Sequence, residues 1–390
     1  MKKYNLLIPV SGKAKRFLDE GFVMPKPLIM AGDRHIIDWS MQSIKYDECN
    51  LIFVVRNEHV CNYSIDKVLT QKFGNDIKII KTYSDTRGSV ETCLFAKDVI
   101  NNDLPLVIYC LDVFFEPTFD PSTMPLDADG LILTFKSNSP NYSYTDVGTD
   151  GFAKNVVEKT AISNNANVGV YCFSKGSDFV YAAEKMISMD IRTNNEFYIA
   201  PLYNILIGIG KKIKTKDVDT MHVMGTPKEL EFFTKVSLNK FGSKKIAVCC
   251  DHSGFELKEE FMKILKSKGL DYVDFGCYTM DDCDQVDYTK IACKSILENV
   301  CSHGVGFCRT GQAINIAANK FDGIRSALIF NEYTAEYSIK HNGANFFTVA
   351  TKFVDPQTLE KMVGKMLETD FEGGRHQVRV QKINDLENRK

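Results

Sequence analysis

Short apolar runs alternate with longer amphipathic stretches along the whole chain. "YNLLIPV", "LIFVV", "PLVIYCLDVFF", "GLILTF" and "VGVYCF" have the length and character of buried strands, and "SVETCLFAKDVI" between them has helical periodicity. Strands alternating with helices predict an α/β fold. The alternation runs to "GTPKELEFFTKV" and is interrupted by "SLNKFGSKK", which is short, polar and contains a glycine. We place the domain boundary there, giving domains over 1–238 and 245–390.

A second series then starts afresh. "KIAVCC" reads as a strand and "GFELKEEFMKILKSKG" as an amphipathic helix ended by Gly269. Ser253 with Glu256 three residues on has the spacing of a capping box for that helix. "YVDFG", "GVGFC", "SALIF" and "FFTVAT" are further strands, and "DPQTLEKMVGKMLE" opens with Asp355 as N-cap and Pro356 at the first helical position. The expected architecture is two Rossmann-like αβα domains in tandem, with no internal repeat.

Composition narrows the partners. The chain has 390 residues, 44% hydrophobic and 25% charged, and a formal net charge of -2. Such a balance gives no electrostatic footprint for nucleic acid or an acidic membrane surface. The apolar run after Met1–Lys3 is too short for a signal peptide, and no later run reaches membrane-spanning length. Twelve cysteines without a C-x-x-C or zinc-like spacing read as reduced thiols of a cytoplasmic protein.

In parallel α/β sheets ligands gather at the carboxyl ends of strands. Three stretches of the second domain are expected to converge there: "CCDHSGF" with Asp251 and His252, "GFCRTG" with Cys308 and Thr310, and "KHNGAN" with His341 and Asn342. A fourth, "FEGGRHQVR", carries Arg375 and Arg379 four apart, which on a helix share a face and can grip a phosphate together. With "DHSGFELKEE" and "IAANKFDGIR", these stretches resemble ribose-5-phosphate isomerase type B and its galactose-6-phosphate isomerase relatives, from about residue 245 to 385. The resemblance implies a five-stranded parallel sheet and a metal-free aldose–ketose isomerisation through an enediolate. It makes Cys308 the base that moves the proton between C1 and C2. Thr310 and His341 would open the sugar ring with Asp251 nearby, and His252, Arg375 and Arg379 would hold the phosphate. The loop with Arg309, Gly311 and Ala313, together with Asn342, would stabilise the enediolate. It also implies a homodimer through this domain, since in that family a neighbouring subunit completes the pocket. Arg309 and Ala313 stand where the family pattern has Gly, and Asn315 where it has Ser. Gln285 and Val286 replace a usual Tyr and Pro. Either lost Gly strains the loop if its position needs positive φ.

In the first domain "IPVSGKAKRFLDEGFVMPKPLI" is a strand followed by a basic, Gly-containing loop suited to a phosphate chain. With "TRGSVETCLFAKDVINNDLPLVIYCLD", "VVEKTAISNNANVGVYCF", "NNEFYIAPLYN" and "MHVMGTPKEL", residues 3 to about 235 resemble the sugar-phosphate nucleotidyltransferases, which share a fold with many glycosyltransferases. The resemblance implies attack of a sugar-phosphate oxygen on a nucleoside triphosphate, releasing pyrophosphate. Gly12 and Arg16 would cradle the triphosphate, with Lys15, where the family usually has Ser or Thr, adding positive charge, and Lys26 would reach the reacting phosphates. Gly88 would let the nucleobase approach the backbone, Asp112 would hold Mg²⁺, and Lys159 and Glu196 would face the sugar. Ala14 stands for the loop's second Gly, and Val223 for a metal-binding Asp found in many members.

Together the halves suggest a bifunctional enzyme that isomerises a pentose or hexose phosphate and activates it with a nucleotide from CTP or UTP. The same departures are compatible with a working transferase beside a non-catalytic, dimerising or sugar-phosphate-sensing isomerase-like domain, or with a nucleotide-binding first domain that regulates a working isomerase.

Overall fold

In the first half of the chain the apolar runs become strands of one mixed nine-stranded sheet. The computed structural model describes residues 3–32 and 34–387. The chain divides into two units, Met1–Glu231 and Phe232–Lys390. In the first, Tyr4–Val10 lies parallel to both Cys49–Arg56 and Leu106–Tyr109. Beyond Leu106–Tyr109 the sheet turns antiparallel through Asn165–Phe173. Alternate residues of one strand serve opposite faces. Leu6 and Ile8 enter one core cluster with Phe53 and Val55, whereas Leu7 enters the other with Ile52 and Val54. That double burial explains why these strands read as unbroken apolar runs rather than alternating ones.

The stretch "PLVIYCLDVFF" departs from expectation. It is two strands, Leu106–Tyr109 in the main sheet and Val113–Glu116 paired with Thr220–Val223 in a small separate sheet. The chain leaves the main sheet at Cys110, whose carbonyl accepts from the Asp112 N–H at 2.9 Å. Likewise "SVETCLFAKDVI" forms two short helices, Ser89–Leu94 and Lys97–Ile100.

The second unit is a five-stranded sheet in the order Tyr272–Asp274, Lys245–Cys250, Cys301–Cys308, Phe346–Ala350, Ser326–Ile329, with every pairing parallel. Asp355 caps the helix Pro356–Glu368 by accepting from the Thr358 N–H. The expected Ser253–Glu256 capping box does not form. Asp251 instead caps a single 3₁₀ turn, His252–Gly254, accepting from the Gly254 N–H at 3.0 Å and the Ser253 hydroxyl at 2.6 Å. The helix Phe255–Ser267 follows it. That helix carries Lys258, wholly buried, with Nζ bonded to both oxygens of Asp274 (2.9 and 2.7 Å) and to the Cys277 carbonyl (2.7 Å). All three ammonium donors are thereby satisfied, which is what permits a buried lysine. Among the described residues no helix is long and apolar enough to cross a membrane.

Candidate active sites

In the first unit the break after Tyr109 presents Asp112 beside the basic loop. Lys26 Nζ lies 3.1 Å from its Oδ2. The loop itself is exposed at Gly12, Lys15 and Arg16. Lys13 is held by Asp85 at 2.6 Å, and Asp85 is in turn paired with Arg56 at 2.8 Å. These two cations hold the Asp85 carboxyl below its usual range. Ala14 adopts φ 51° and ψ 42°, the left-handed region that favours glycine. Gly88 is required by close packing in its own right: a Cβ there would lie 2.5 Å from the backbone N and O of Phe197.

Chain reading missed two carboxylates here. A Cβ on Gly225 would lie 3.1 Å from Glu229 Oε2 and 3.3 Å from Asp112 Oδ2, so the two carboxylates face one space. Burial first, and then the Asp112 charge, push the Glu229 carboxyl up, while Lys26 and Arg16 oppose this. Two facing carboxylates are the donor chemistry of a hard cation such as Mg²⁺, and the residues present fit one. Glu158 is the second. It is 9% exposed, and burial pushes it up to about 7, with Lys159 opposing and Glu196 adding to the rise. Lys159 Nζ sits 5.7 Å over the Tyr198 ring, and the Tyr198 hydroxyl bonds Glu196. Lys159 and Glu196 thus do come together, and both act on the Glu158 carboxyl. The sequence signal was an acid directly after the paired valines that end the strand Ala153–Val157.

In the second unit the strand ends assemble Asp251, His252, Cys308, Arg309 and Thr310. The Asp251 N–H donates to the Phe307 carbonyl at 3.1 Å, which pins the Asp251–His252 turn against the Cys308 strand. Thr351, after the neighbouring strand, donates its N–H to the Cys308 carbonyl and its hydroxyl to the Ser253 carbonyl. Cys308 is buried, whereas Arg309 and Thr310 are exposed. His252 Nδ1 accepts from the Cys283 N–H at 3.4 Å and lies 3.3 Å from Asp282. In the 309–313 loop only Gly311 has positive φ, 71°, and a Cβ there would meet Leu328 at 2.2 Å. Arg309 and Ala313 therefore impose no backbone strain where they replace the family's glycines.

His341 and Asn342 are not at this edge of the sheet. The helix Glu332–Lys340 returns antiparallel to the strands and delivers them to the opposite edge, where Asn345 accepts from the Gly304 N–H. Gly304 pairs with Phe346 and Cys308 with Ala350. The two edges are thus four strand residues apart, about 13 Å at the usual rise. The expected convergence of His341 and Asn342 on the Cys308 loop fails within one chain, because a crossover helix must end at the edge where the next parallel strand begins.

A second cluster forms at that opposite edge. Arg375 and Arg379 lie exposed on the helix Gly374–Asn384. His341 stacks on buried His376 with centroids 3.9 Å apart and planes 10° apart. Glu372 Oε2 is 3.4 Å from His341 Nε2, and its Oε1 is 3.7 Å from His376 Nε2. Two imidazoles and a carboxylate form a donor set that zinc uses. Parallel stacked rings cannot both aim in-plane lone pairs at one ion, and Arg375 Nε already donates to His376 Nε2 at 3.2 Å. Burial, with His341 and the neighbouring Arg375, Arg379 and Lys340, lowers His376 to about 4. Half-buried Arg325 lies nearby, its Nε donating to the Gly343 carbonyl at 2.8 Å. Glu372, His376 and Arg325 stood inside stretches already noted for their neighbours, without being singled out.

The second unit is thus a parallel five-stranded sheet with a thiol, a hydroxyl and an acid at one edge and a basic cluster with two histidines at the other. Residues 246–383 match the family model described as Ribose/Galactose Isomerase, and the chain belongs to that family through this unit. It is 35% identical over 147 residues to ribose-5-phosphate isomerase B of Escherichia coli K12, covering 38% of this chain and 99% of that one. It is 36% identical over 146 residues to ribose-5-P isomerase B of Listeria innocua, covering 37% and 97%. The first unit shares the fold of a nucleoside-diphosphate-sugar pyrophosphorylase from Vibrio cholerae RC9, with a TM-score of 0.51 and 24% identity over 59% of this chain and 99% of that one.

Proposed function

We propose that the chain is a bifunctional enzyme whose second unit interconverts an aldose and a ketose phosphate, ribose 5-phosphate foremost, and works as a homodimer. The observation that carries this is the placement of the two clusters at opposite edges of one sheet. In a two-fold pair, the His341–Arg379 edge of one copy can face the Cys308 edge of the other, completing two equivalent pockets. His252, Arg375 and Arg379 then hold the phosphate, and His341, Thr310 and Asp251 open the ring. Cys308 carries the proton between C1 and C2. The N–H groups of the 309–313 loop, with Asn342 of the facing copy, receive the enediolate charge, and Arg309 adds a cation beside them.

The first unit, in this reading, transfers a nucleotide from CTP or UTP to the sugar phosphate. Gly12, Lys15, Arg16 and Lys26 bind the triphosphate, and Glu158, Lys159 and Glu196 bind the sugar. Asp112 and Glu229 would hold Mg²⁺, which when bound neutralises phosphate oxygens. Lys26, now paired with Asp112, is placed to follow the developing charge on the leaving pyrophosphate.

For the isomerase, incubation with ribose 5-phosphate in deuterated buffer, followed by NMR, is the test. Loss of the C2 proton signal that Cys308→Ala abolishes is expected, and persistence of the signal contradicts the reading. For the transferase, pyrophosphate release with some pairing of triphosphate and sugar phosphate is expected, abolished by Asp112→Asn. No release with any pairing contradicts it.

A further inference from the structure

A cluster that receives a phosphate dianion gains nothing from a carboxylate, yet Glu372 sits against His341 and His376, the latter under the charges of Arg375, Arg379 and Lys340. Its position is fixed: its N–H donates to the carbonyl of Lys340, the residue before His341, at 2.9 Å. Of the two imidazoles it touches, His376 is not its hydrogen-bond donor, because His376 Nε2 is occupied as acceptor from Arg375 Nε. His376 also remains neutral well below neutrality. Glu372 therefore serves His341. The plane of the His341 ring is set by stacking on His376 and by an edge contact to Tyr337, with centroids 4.7 Å apart. Stacking is compatible with either of two orientations related by a flip about the Cβ–Cγ bond, and the carboxylate 3.4 Å from Nε2 is the group that selects one of them.

We propose that Glu372 is a positioning residue for His341, holding Nε2–H so that Nδ1 faces the sugar. This rests on the isomerase reading above. In ring opening the C1–O4 bond breaks and its electron pair goes to O4, which takes the proton from Nδ1 of protonated His341. The O–H pair of the anomeric hydroxyl becomes the C1=O bond, and that proton passes to the Asp251 carboxylate of the facing copy. A carboxylate on Nε2 orients the ring, as the acid behind the histidine does in hydrolase triads.

The test compares Glu372→Gln with wild type in the full-length enzyme. Ribose 5-phosphate must be opened before it isomerises, whereas ribulose 5-phosphate, with its C5 oxygen esterified, has no furanose ring to open. Glu372→Gln is expected to lower kcat from ribose 5-phosphate about tenfold or more. KM should be unchanged or lower, because one negative charge leaves the phosphate cluster. Deuterium wash-in from solvent at C1 of ribulose 5-phosphate should stay near the wild-type rate, and Glu372→Asp should recover part of the lost kcat. Equal losses of turnover and wash-in, or no loss of either, overturn the assignment. No wash-in by the wild type defeats the isomerase reading itself and this inference with it.

Discussion

His303 lies between Phe241 and Phe347, 3% exposed, with its Nδ1 unpaired. Burial, aided by the Arg325 charge, lowers it to about 3. Because its folded value lies below the unfolded one, its stabilising contribution is complete above pH 6.5 and is lost as pH falls toward 3. His376, at about 4, acts in the same sense. His303→Phe should spare the second unit about 2 kcal/mol of the stability lost between pH 6.5 and 5, read by calorimetry at both values. An unchanged acid limb contradicts the buried, neutral histidine. In the first unit, Ala14 occupies a left-handed position, and Ala14→Gly should raise stability by up to about 1 kcal/mol. Trp39 is the only tryptophan and lies in this unit, so its fluorescence reports the change without interference. A lower unfolding midpoint contradicts the strain. Residue identity alone marked Ala14, Arg309 and Ala313 as replaced glycines. Which of the three is strained depends on backbone dihedrals, which a substitution pattern does not encode.

Elements were legible where one periodicity governed them and illegible where two partners competed for a segment. Pro356–Glu368 began where Asp355 and Pro356 indicated. "PLVIYCLDVFF" did not run through as one strand, because its second half finds Thr220–Val223, a partner more than a hundred residues away. The Ser253–Glu256 spacing suggested a cap, but Asp251 accepts both nearby donors first, its carboxylate being the stronger acceptor. A comparable competition holds the loop after Tyr272–Asp274, where buried Lys258 joins Asp274 to the Cys277 carbonyl. Lys258→Met should cost about 3 kcal/mol by leaving the Asp274 carboxylate without its counter-charge, with the Gly276 N–H as its remaining donor, and by taking the lysine donor from that carbonyl. Lys258→Met combined with Asp274→Leu should cost less than the single change, in urea titrations of the second unit. A double variant weaker than the single one contradicts the view that the stranded carboxylate dominates.

For the whole molecule, the fold class and the isomerase family of the second unit were readable from motifs, because strand-end glycines, acids and basic pairs stand close in sequence. Which edge each motif occupies was not readable, since that depends on the direction of a crossover helix. The placement of His341 at the edge opposite Cys308 is what the proposed two-copy isomerase pocket rests on. The most direct measurement mixes separately purified Cys308→Ala and His341→Ala chains, unfolds and refolds them together, and assays ribose 5-phosphate isomerisation. Each variant alone should be nearly inactive. In random mixed dimers one pocket of two is intact, so the mixture should recover about a quarter of wild-type activity. No recovery, with mixed dimers demonstrated, contradicts a pocket built from opposite edges of two chains.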